Sequence, residues 1–213
     1  MTARSSKARE IMACTRQLLT AGGYKSFSYA DIAAQVDIRK ASIHHHFPGK
    51  ADLVKAVVEE YRAEAQAGMQ AMDEQINDPL NEVKAYVDYW AHCIKEGTSP
   101  FCICAMLAAE MPTLPPDVAT EVSGHFSDLS GWLARQLSKG AASGVFQLSD
   151  SAENEAKTLM ASVHGAMLAA RAFNNAGMFE QITHPLLHKL IKKPPDGAQS
   201  VRAGLGGCGL LTQ

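Results

Sequence analysis

The segment RKASIHHHFPGK, residues 39–50, places two cations and three consecutive histidines ahead of a Pro-Gly pair. Histidine is a frequent metal ligand, so three in a row raise the question of a metal site. Neighbouring positions on one helix point about 100° apart, so His44, His45 and His46 cannot converge on a single ion. The segment is better interpreted as a short helix whose polar face meets an anionic partner.

The distribution of charge supports an anionic partner for the N-terminal part of the chain. The 213 residues carry a net charge of −2. Residues 1–50 hold eight Lys or Arg side chains and three acidic ones, so the excess of acids lies in the rest of the chain. A small basic unit on an acidic body is typical of a protein whose basic part binds a polyanion such as nucleic acid.

Composition argues against several other classes of protein. The chain is 46% hydrophobic and 20% charged, ordinary values for a globular protein. No apolar run approaches the roughly 20 residues of a membrane helix, and the N-terminus has no secretory signal. The five cysteines are odd in number and scattered, which fits a reducing compartment rather than a disulfide framework. We therefore expect a cytoplasmic protein with no membrane partner.

The elements that position the histidine segment are helices. Nearly every periodic stretch has helical spacing, which predicts an all-α fold. Residues 1–50 are expected to form a three-helix helix-turn-helix unit, residues 51–193 a larger helical bundle for ligand binding and dimerisation, and the Gly- and Pro-rich residues 194–213 a flexible tail. The last two helices are predicted at 151–176 and 178–192.

The N-terminal unit has the local signals of a helix-turn-helix. Ser28 is a predicted N-cap, and Asp31, three residues on, suits a helix N-terminus. Asp37 breaks the periodicity and tolerates a left-handed turn. A second short helix follows, with Ile43 and Phe47 on its inner face. Such a helix enters the DNA major groove in helix-turn-helix proteins, so the sequence predicts DNA binding.

The segment SYADIAAQVDIRKASIHHHFPGKADLV resembles the DNA-binding signature of the tetracycline-repressor (TetR) family. The matching positions are Ser28, Ile32, Ala33, Ile38, Ile43, His45, Phe47, Lys50 and Leu53. Three positions depart from the family pattern: Asp37 and Ala41 replace glycines, and His44 replaces a tyrosine. The resemblance implies a body of helices behind the N-terminal unit and a homodimer built on the last two helices.

The resemblance also assigns roles around the second helix. Ser28, Lys50 and the helix N-termini are implied to hold phosphates, while Arg39, Lys40 and Ser42 are implied to approach bases or backbone. The histidines divide between phosphate contact and packing. The candidate DNA-binding residues are Ser28, Arg39, Lys40, Ala41, Ser42, His44, His45 and Lys50.

The central helices of the body carry aromatic, sulfur-containing and histidine side chains that can line a ligand cavity. The candidate ligand-binding or sensing residues are Trp90, Cys93, Cys102, Met106, Trp132, His164 and Met167. The same side chains can instead form ordinary hydrophobic core. No cofactor motif or metal-ligand spacing is recognised, so no cofactor and no metal site is predicted.

Cys102 lies in PFCICAMLAAEMPTLPPD, which resembles a segment of a TetR subgroup that includes regulators of acrylate and of electrophile stress. The resemblance implies a sensing thiol at Cys102, although cysteine also serves as a small buried hydrophobe. Pro100 is expected to place Cys102 in the first turn of a helix. Cys104, two residues on, would then point about 200° away, so the two thiols should not share a wall.

The sequence therefore predicts a DNA-binding transcriptional regulator, a repressor released from a near-palindromic operator by a small-molecule or electrophile signal. The alternative is a redox- or metal-responsive regulator that uses cysteines and histidines of the C-terminal domain. The residues weighed for a metal-responsive regulator are His92, Cys93, His125, His164 and His184. An enzyme is not predicted, since the chain has no phosphate loop, nucleophile elbow or zinc-protease motif.

Overall fold

The computed structural model describes residues 4–98 and 101–192, and the predicted tail at 194–213 lies outside them. The described residues form nine α-helices, two single-turn 3-10 helices and no strand, which confirms the predicted all-α fold. None of these helices combines the length and hydrophobicity that a membrane crossing requires. The helices are α1 (Ser6–Gly22), α2 (Tyr29–Val36), α3 (Lys40–His46), α4 (Lys50–Gln75), α5 (Pro79–Glu96), α6 (Ile103–Ala108), α7 (Pro116–Ala142), α8 (Ala152–Ala172) and α9 (Gly177–Leu190).

Helices α1, α2 and α3 close around one hydrophobic core with the start of α4. Ile11 of α1, Ile32 of α2 and Ile43 of α3 have no exposed surface. Leu53, in the first turns of α4, is equally buried. Each such side chain contributes about 1.5–3 kcal/mol through its removal from water. Because α4 begins in this core and continues into the body, it joins the N-terminal unit to the rest of the chain.

The long helix α4 packs against α7, and a charged network holds the two helices in register. Arg62 of α4 pairs with Glu121 at 3.1 Å and with Asp128 at 2.5 Å, both on α7. Gln66 donates a further hydrogen bond to Asp128 at 2.7 Å. A side chain at Gly124 would collide with the Arg62 guanidinium, so this glycine lets the arginine cross the surface of α7.

The C-terminal helices are shorter than predicted. α8 ends at Ala172 rather than 176 because Asn174 takes a left-handed conformation, φ 47°, that stops the helix. α9 runs from Gly177 to Leu190, with Pro185 inside it. A single β-bridge between Phe146 and Ile191 fixes the end of α9 against the loop before α8.

Two neighbouring carboxylates, the buried Glu82 and the half-buried Asp73, lie where α4, α5 and α7 meet. The Asp73 carboxylate accepts hydrogen bonds from Trp132 Nε1 at 2.8 Å and from Gln136 Nε2 at 2.6 Å. Glu82 is 1% exposed beside it. Burial, and then the hydrogen bond and negative charge of Asp73, raise the pKa of Glu82. The site therefore favours the protonated form of Glu82 more than water does.

We expect Glu82→Gln to raise the free energy of unfolding at pH 7 by about 1 kcal/mol, since an amide can donate to Asp73 without ionising. A raised pKa means that the stability Glu82 contributes is fully present below its unfolded value, about 4.3, and is lost as pH rises through the folded value. The difference between variant and wild type should therefore shrink as the pH falls toward 4. Urea unfolding across this range measures it.

Glu96→Gln, on the exposed end of α5, makes the same chemical change without burial and is the matched control. Equal stability of Glu82→Gln and wild type at pH 7 would contradict the raised pKa of Glu82.

Candidate DNA-binding face and sensor cavity

The turn between α2 and α3 is set by local hydrogen bonds. The Ser28 hydroxyl accepts from the N–H of Ala30 at 3.2 Å, and the Asp31 carboxylate accepts from the Ser28 N–H at 2.7 Å. The hydrogen bond from the Ser28 side chain, and after it the one from the Ser28 N–H, hold the pKa of Asp31 below its ordinary value. Asp37 ends α2 at φ 51° and ψ 57°, with its N–H donated to the Ala33 carbonyl. The predicted N-cap and the left-handed turn are both confirmed.

Helix α3 presents its polar residues to solvent. Ile43 and Phe47 are buried on its inner side. The exposed residues of α3 and its N-cap are Arg39, Lys40, Ala41, Ser42, His44 and His45. The ion pairs found in residues 4–98 and 101–192 do not use Arg39 or Lys40. Both cations therefore remain available to an anionic partner.

His44 is held by two neighbours at the end of α3. Its Nδ1 lies 3.0 Å from the Pro48 carbonyl oxygen, and its ring meets the Tyr29 ring edge-on at 4.8 Å between centroids. When Nδ1–H donates to this carbonyl, Nε2 of the neutral ring carries only a lone pair. His44 can then donate to a phosphate only as the imidazolium ion.

Lys50 lies differently from the other candidate DNA-binding residues. Its ammonium group donates to the Phe27 carbonyl and lies 4.0 Å from the centroid of the Phe27 ring and 4.8 Å from that of Tyr24. Burial lowers the pKa of this ammonium, against the favourable charges of Glu110 and Asp31. In this structure Lys50 holds the loop before α2 and does not project beside α3. Its predicted phosphate contact stays a prediction.

Two charged side chains of the body hold the N-terminal unit. The Glu110 carboxylate, beyond α6, accepts hydrogen bonds from the N–H groups of Tyr24 and Lys25 at 2.5 and 3.3 Å. Gly23 makes this approach possible: its φ is +82°, and a Cβ there would lie 2.4 Å from a Glu110 oxygen. Arg171, at the end of α8, donates to the carbonyls of Thr20 and Ala21 in the last turn of α1.

A cavity of about 410 Å³ opens between α4, α5, α7 and α8. Its walls are mainly aromatic and apolar, with Arg16 of α1 and Glu64 of α4 joined at 2.6 Å along one side. The lining residues are Arg16, Tyr61, Glu64, Ala65, Gly68, Met69, Met72, Ala85, Tyr86, Tyr89, Trp90, His125, Leu129 and His164.

Two of the seven candidate sensing residues, Trp90 and His164, line this cavity. Cys93, Trp132 and Met167 are buried core residues outside its lining, as the core interpretation of the sequence allowed. The other two candidates, Met106 and Cys102, are placed by α6. The sulfur of Met106 lies 3.3 Å from the Arg171 guanidinium.

The side of the cavity that α4 forms was not predicted from the sequence. Tyr61, Met69 and Met72 belong to α4, and none of them was among the candidate ligand-binding residues. His125 was considered only as a metal ligand. The repeated methionine and tyrosine positions of α4 were the available signal, since flexible thioethers and amphipathic rings are common in ligand pockets.

The prediction that Cys102 and Cys104 diverge is wrong. Cys102 is the extended N-cap residue of α6, φ −69° and ψ 123°, and only Cys104 is helical. The helical rotation therefore does not separate the two thiols. One donor atom from each of Cys102, Cys104 and His125 lies within 4.8 Å of the others, and all three residues are buried. Thiols and imidazoles in such a group can hold a metal ion.

The chemistry of Cys102 follows from its neighbours. Its Sγ lies 3.8 Å from His125 Nε2. Burial acts most strongly, to raise the pKa of Cys102, but the neighbouring polar groups of Cys104, His125 and His164 outweigh it and bring this pKa well below its ordinary value. The pKa of Cys104 is raised, first by its hydrogen bond to Cys102 and then by burial. The two pKa shifts have opposite directions, so Cys102 is the thiol of the pair that ionises first.

Comparison with known families matches both parts of the chain. A family model described as bacterial regulatory proteins, tetR family, matches residues 11–57. A second, described as a tetracyclin repressor-like C-terminal domain, matches residues 79–185. No curated protein matches the chain.

Solved structures give close matches over nearly the whole described chain. A TetR-family transcriptional regulator from Agrobacterium tumefaciens is 50% identical, with a TM-score of 0.86, over 88% of this chain and 98% of that one. Regulatory protein TetR from Rhodobacter sphaeroides is 20% identical with a TM-score of 0.80, over 88% of this chain and 100% of that one. The reduced form of E. coli NemR is 18% identical with a TM-score of 0.77, over 89% and 100%. The latter two matches support the fold alone.

Proposed function

The chain belongs to the TetR family of bacterial transcriptional regulators, and we propose that it is a cytoplasmic repressor that binds a near-palindromic operator as a homodimer. A small apolar molecule in the cavity between α4, α5, α7 and α8 releases the operator. The cavity is the observation that carries this proposal, because it adjoins the helix that continues into the DNA-binding unit.

The exposed face of α3 supports the DNA contact. Arg39 and Lys40 stand at the N-terminus of the helix, free of ion pairs with the described residues. The positive end of the helix adds to their attraction for phosphate. Short side chains at Ala41 and Ser42 allow the helix to approach base edges in the major groove.

Helices α8 and α9 support the homodimer. Ala161, Gly165 and Leu168 follow one another on an exposed face of α8, and Leu168 is 58% exposed. Ile182 of α9 is also exposed. Small residues allow two helices to approach closely. Burial of the exposed Leu168 side chain against a second copy of the chain would also stabilise the dimer by removing apolar surface from water. Two α3 helices about 34–36 Å apart would then read the two half-sites of the operator.

Of the two cavities in the described structure that we compare as ligand sites, the smaller one, of about 410 Å³, has the less polar walls and is the better candidate. A more open groove of about 780 Å³ runs along α1, α5 and the end of α8. Polar groups such as Gln17, Thr20 and Asn174 form a larger share of its walls than polar groups do in the smaller cavity. Ligand sites are usually enclosed and mainly apolar, which describes the cavity around Trp90 and Tyr86. A ligand there acts on DNA binding only if it prefers one arrangement of α4 over another.

An electrophile is the second candidate signal, because Cys102 touches His125, a residue of the cavity wall. Cys102 itself has no exposed surface and is not part of the lining. A reagent in the cavity would have to displace His125 to reach the thiol. The non-covalent ligand therefore fits the geometry better.

The protein is expected to bind DNA from its own upstream region and to be released by a suitable apolar ligand. Fluorescence anisotropy of labelled upstream DNA, with a panel of apolar molecules and one mild electrophile, measures this. Release by the electrophile that a thiol reductant reverses would favour Cys102 chemistry over the cavity ligand. Release by apolar molecules that Trp90→Ala abolishes would favour the cavity. Absence of specific binding to upstream DNA and to a randomised operator library would contradict the proposal.

A further inference from the structure

The group formed by Cys102, Cys104 and His125 has the composition and dimensions of a soft-metal site. Its donor atoms lie within 4.8 Å of one another, and Cys102 Sγ to His125 Nε2 measures 3.8 Å. Zinc bonds of about 2.3 Å to sulfur and 2.0–2.1 Å to nitrogen, arranged tetrahedrally, place ligand atoms roughly 3.5–3.8 Å apart. A small contraction of the existing group would therefore enclose the ion.

His164 is not one of the three residues within 4.8 Å of one another, but its unpartnered ring nitrogen makes it the candidate for a fourth donor. Its Nδ1 lies 2.9 Å from the Met160 carbonyl oxygen, which accepts the Nδ1–H and leaves a lone pair on Nε2. This Nε2 is buried and has no hydrogen-bond partner among the protein donors of the structure. His164 also lies near enough to Cys102 to help lower the pKa of that thiol. A backbone carbonyl on one ring nitrogen and a bare lone pair on the other is the arrangement that metal-binding histidines adopt.

We propose that Cys102, Cys104, His125 and His164 bind one Zn²⁺ ion per chain. Two thiolates and two neutral imidazoles balance the charge of the ion, so the filled site is neutral and suits a buried position. Binding transfers the ion from water to the four donors and releases the protons of the thiols to solvent. No electron transfer is involved.

The site deepens the proposed function and rests on it for its consequence. The ligands belong to the start of α6, to α7 and to α8, so the ion fixes α6 to the body. Glu110, just beyond the other end of α6, holds the N–H groups of Tyr24 and Lys25 in the DNA-binding unit. Filling or emptying the site therefore changes how firmly that unit is held, and with it the affinity for DNA.

The test is a titration of the reduced, chelator-treated full chain with Co²⁺, followed by displacement with Zn²⁺. We expect one Co²⁺ per chain, with a thiolate-to-cobalt charge-transfer band and the visible bands of tetrahedral cobalt. Cys104→Ser should lower the charge-transfer intensity by about half and weaken binding about 100-fold or more, and His164→Gln about 10-fold or more. Cys93→Ser, which removes a buried thiol outside the group, should bind as wild type does.

Melting temperatures with and without Zn²⁺ show whether each variant folds, and only chains with the intact group should gain stability from the ion. Absence of a charge-transfer band in the wild type, or identical titrations of wild type and Cys104→Ser, would overturn the site. A filled site with unchanged operator affinity would overturn its regulatory part alone. Metal binding in a chain that binds no DNA would instead count against the proposed function.

Discussion

Replacing Arg39 and Lys40 together with alanine is expected to weaken specific operator binding about 100-fold or more while leaving the fold intact. Both side chains are exposed at the start of α3 and take no part in the ion pairs of the described chain. A dimer would lose four cations from its DNA-binding face. If all four neutralise phosphates, the slope of log affinity against log salt should fall by about 4.

Fluorescence anisotropy at several salt concentrations measures both quantities. Lys84→Ala with Lys95→Ala removes the same charge from α5 and is the matched control, since these lysines belong to the body. The control should shift affinity slightly and leave the salt slope near that of wild type. Wild-type affinity and slope in the Arg39, Lys40 variant would rule out α3 as the DNA-binding helix.

The second large effect is expected at the contact between the body and the DNA-binding unit. Glu110→Ala removes the acceptor for the Tyr24 and Lys25 N–H groups, and Arg171→Ala removes the donor to the last carbonyls of α1. Coupling between two sites of a protein is typically worth 1–3 kcal/mol, so losing its main contacts should reduce the ligand-induced drop in operator affinity about tenfold. Operator affinity without ligand should change much less, because α3 is untouched.

Hydrogen exchange gives a readout that needs no ligand. The Tyr24 amide is bound to Glu110 in the wild type and should exchange at least about tenfold faster in Glu110→Ala, while amides within α7 keep their rates. Glu96→Gln, on the exposed end of α5, is again a suitable control. If the Glu110→Ala, Arg171→Ala double variant keeps the full ligand-induced drop in operator affinity, the coupling runs through α4 instead.

The features predicted from sequence are those fixed by neighbours in the chain. The capping box joins Ser28 and Asp31, which have only two residues between them, and the left-handed turn at Asp37 needs only a residue that tolerates it. The buried face of α3 follows from Ile43 and Phe47 at a spacing of four. The helix-turn-helix and its exposed cations could therefore be predicted closely.

The features that were missed depend on where helices meet or begin. Because α6 starts at Ile103 instead of Cys102, the thiols of Cys102 and Cys104 lie close together instead of pointing apart. No local pattern fixes a helix start to one residue. The donors of the thiol group come from three helices, so they have no spacing in the sequence. Lys50 matches the family pattern, but its rotation onto Phe27 is decided by tertiary packing.

The contacts of Glu110 and Arg171 have a consequence for how such regulators diversify. Both side chains recognise the amide and carbonyl groups of residues 20, 21, 24 and 25, and not the side chains at these positions. The side chains within residues 20–25 can therefore change by mutation without loss of the connection, provided that positions 22 and 23 stay glycine. We expect a chimaera that carries the first three helices of another family member to bind that protein's operator. The ligand of this chain's own body should still release the chimaera from that operator.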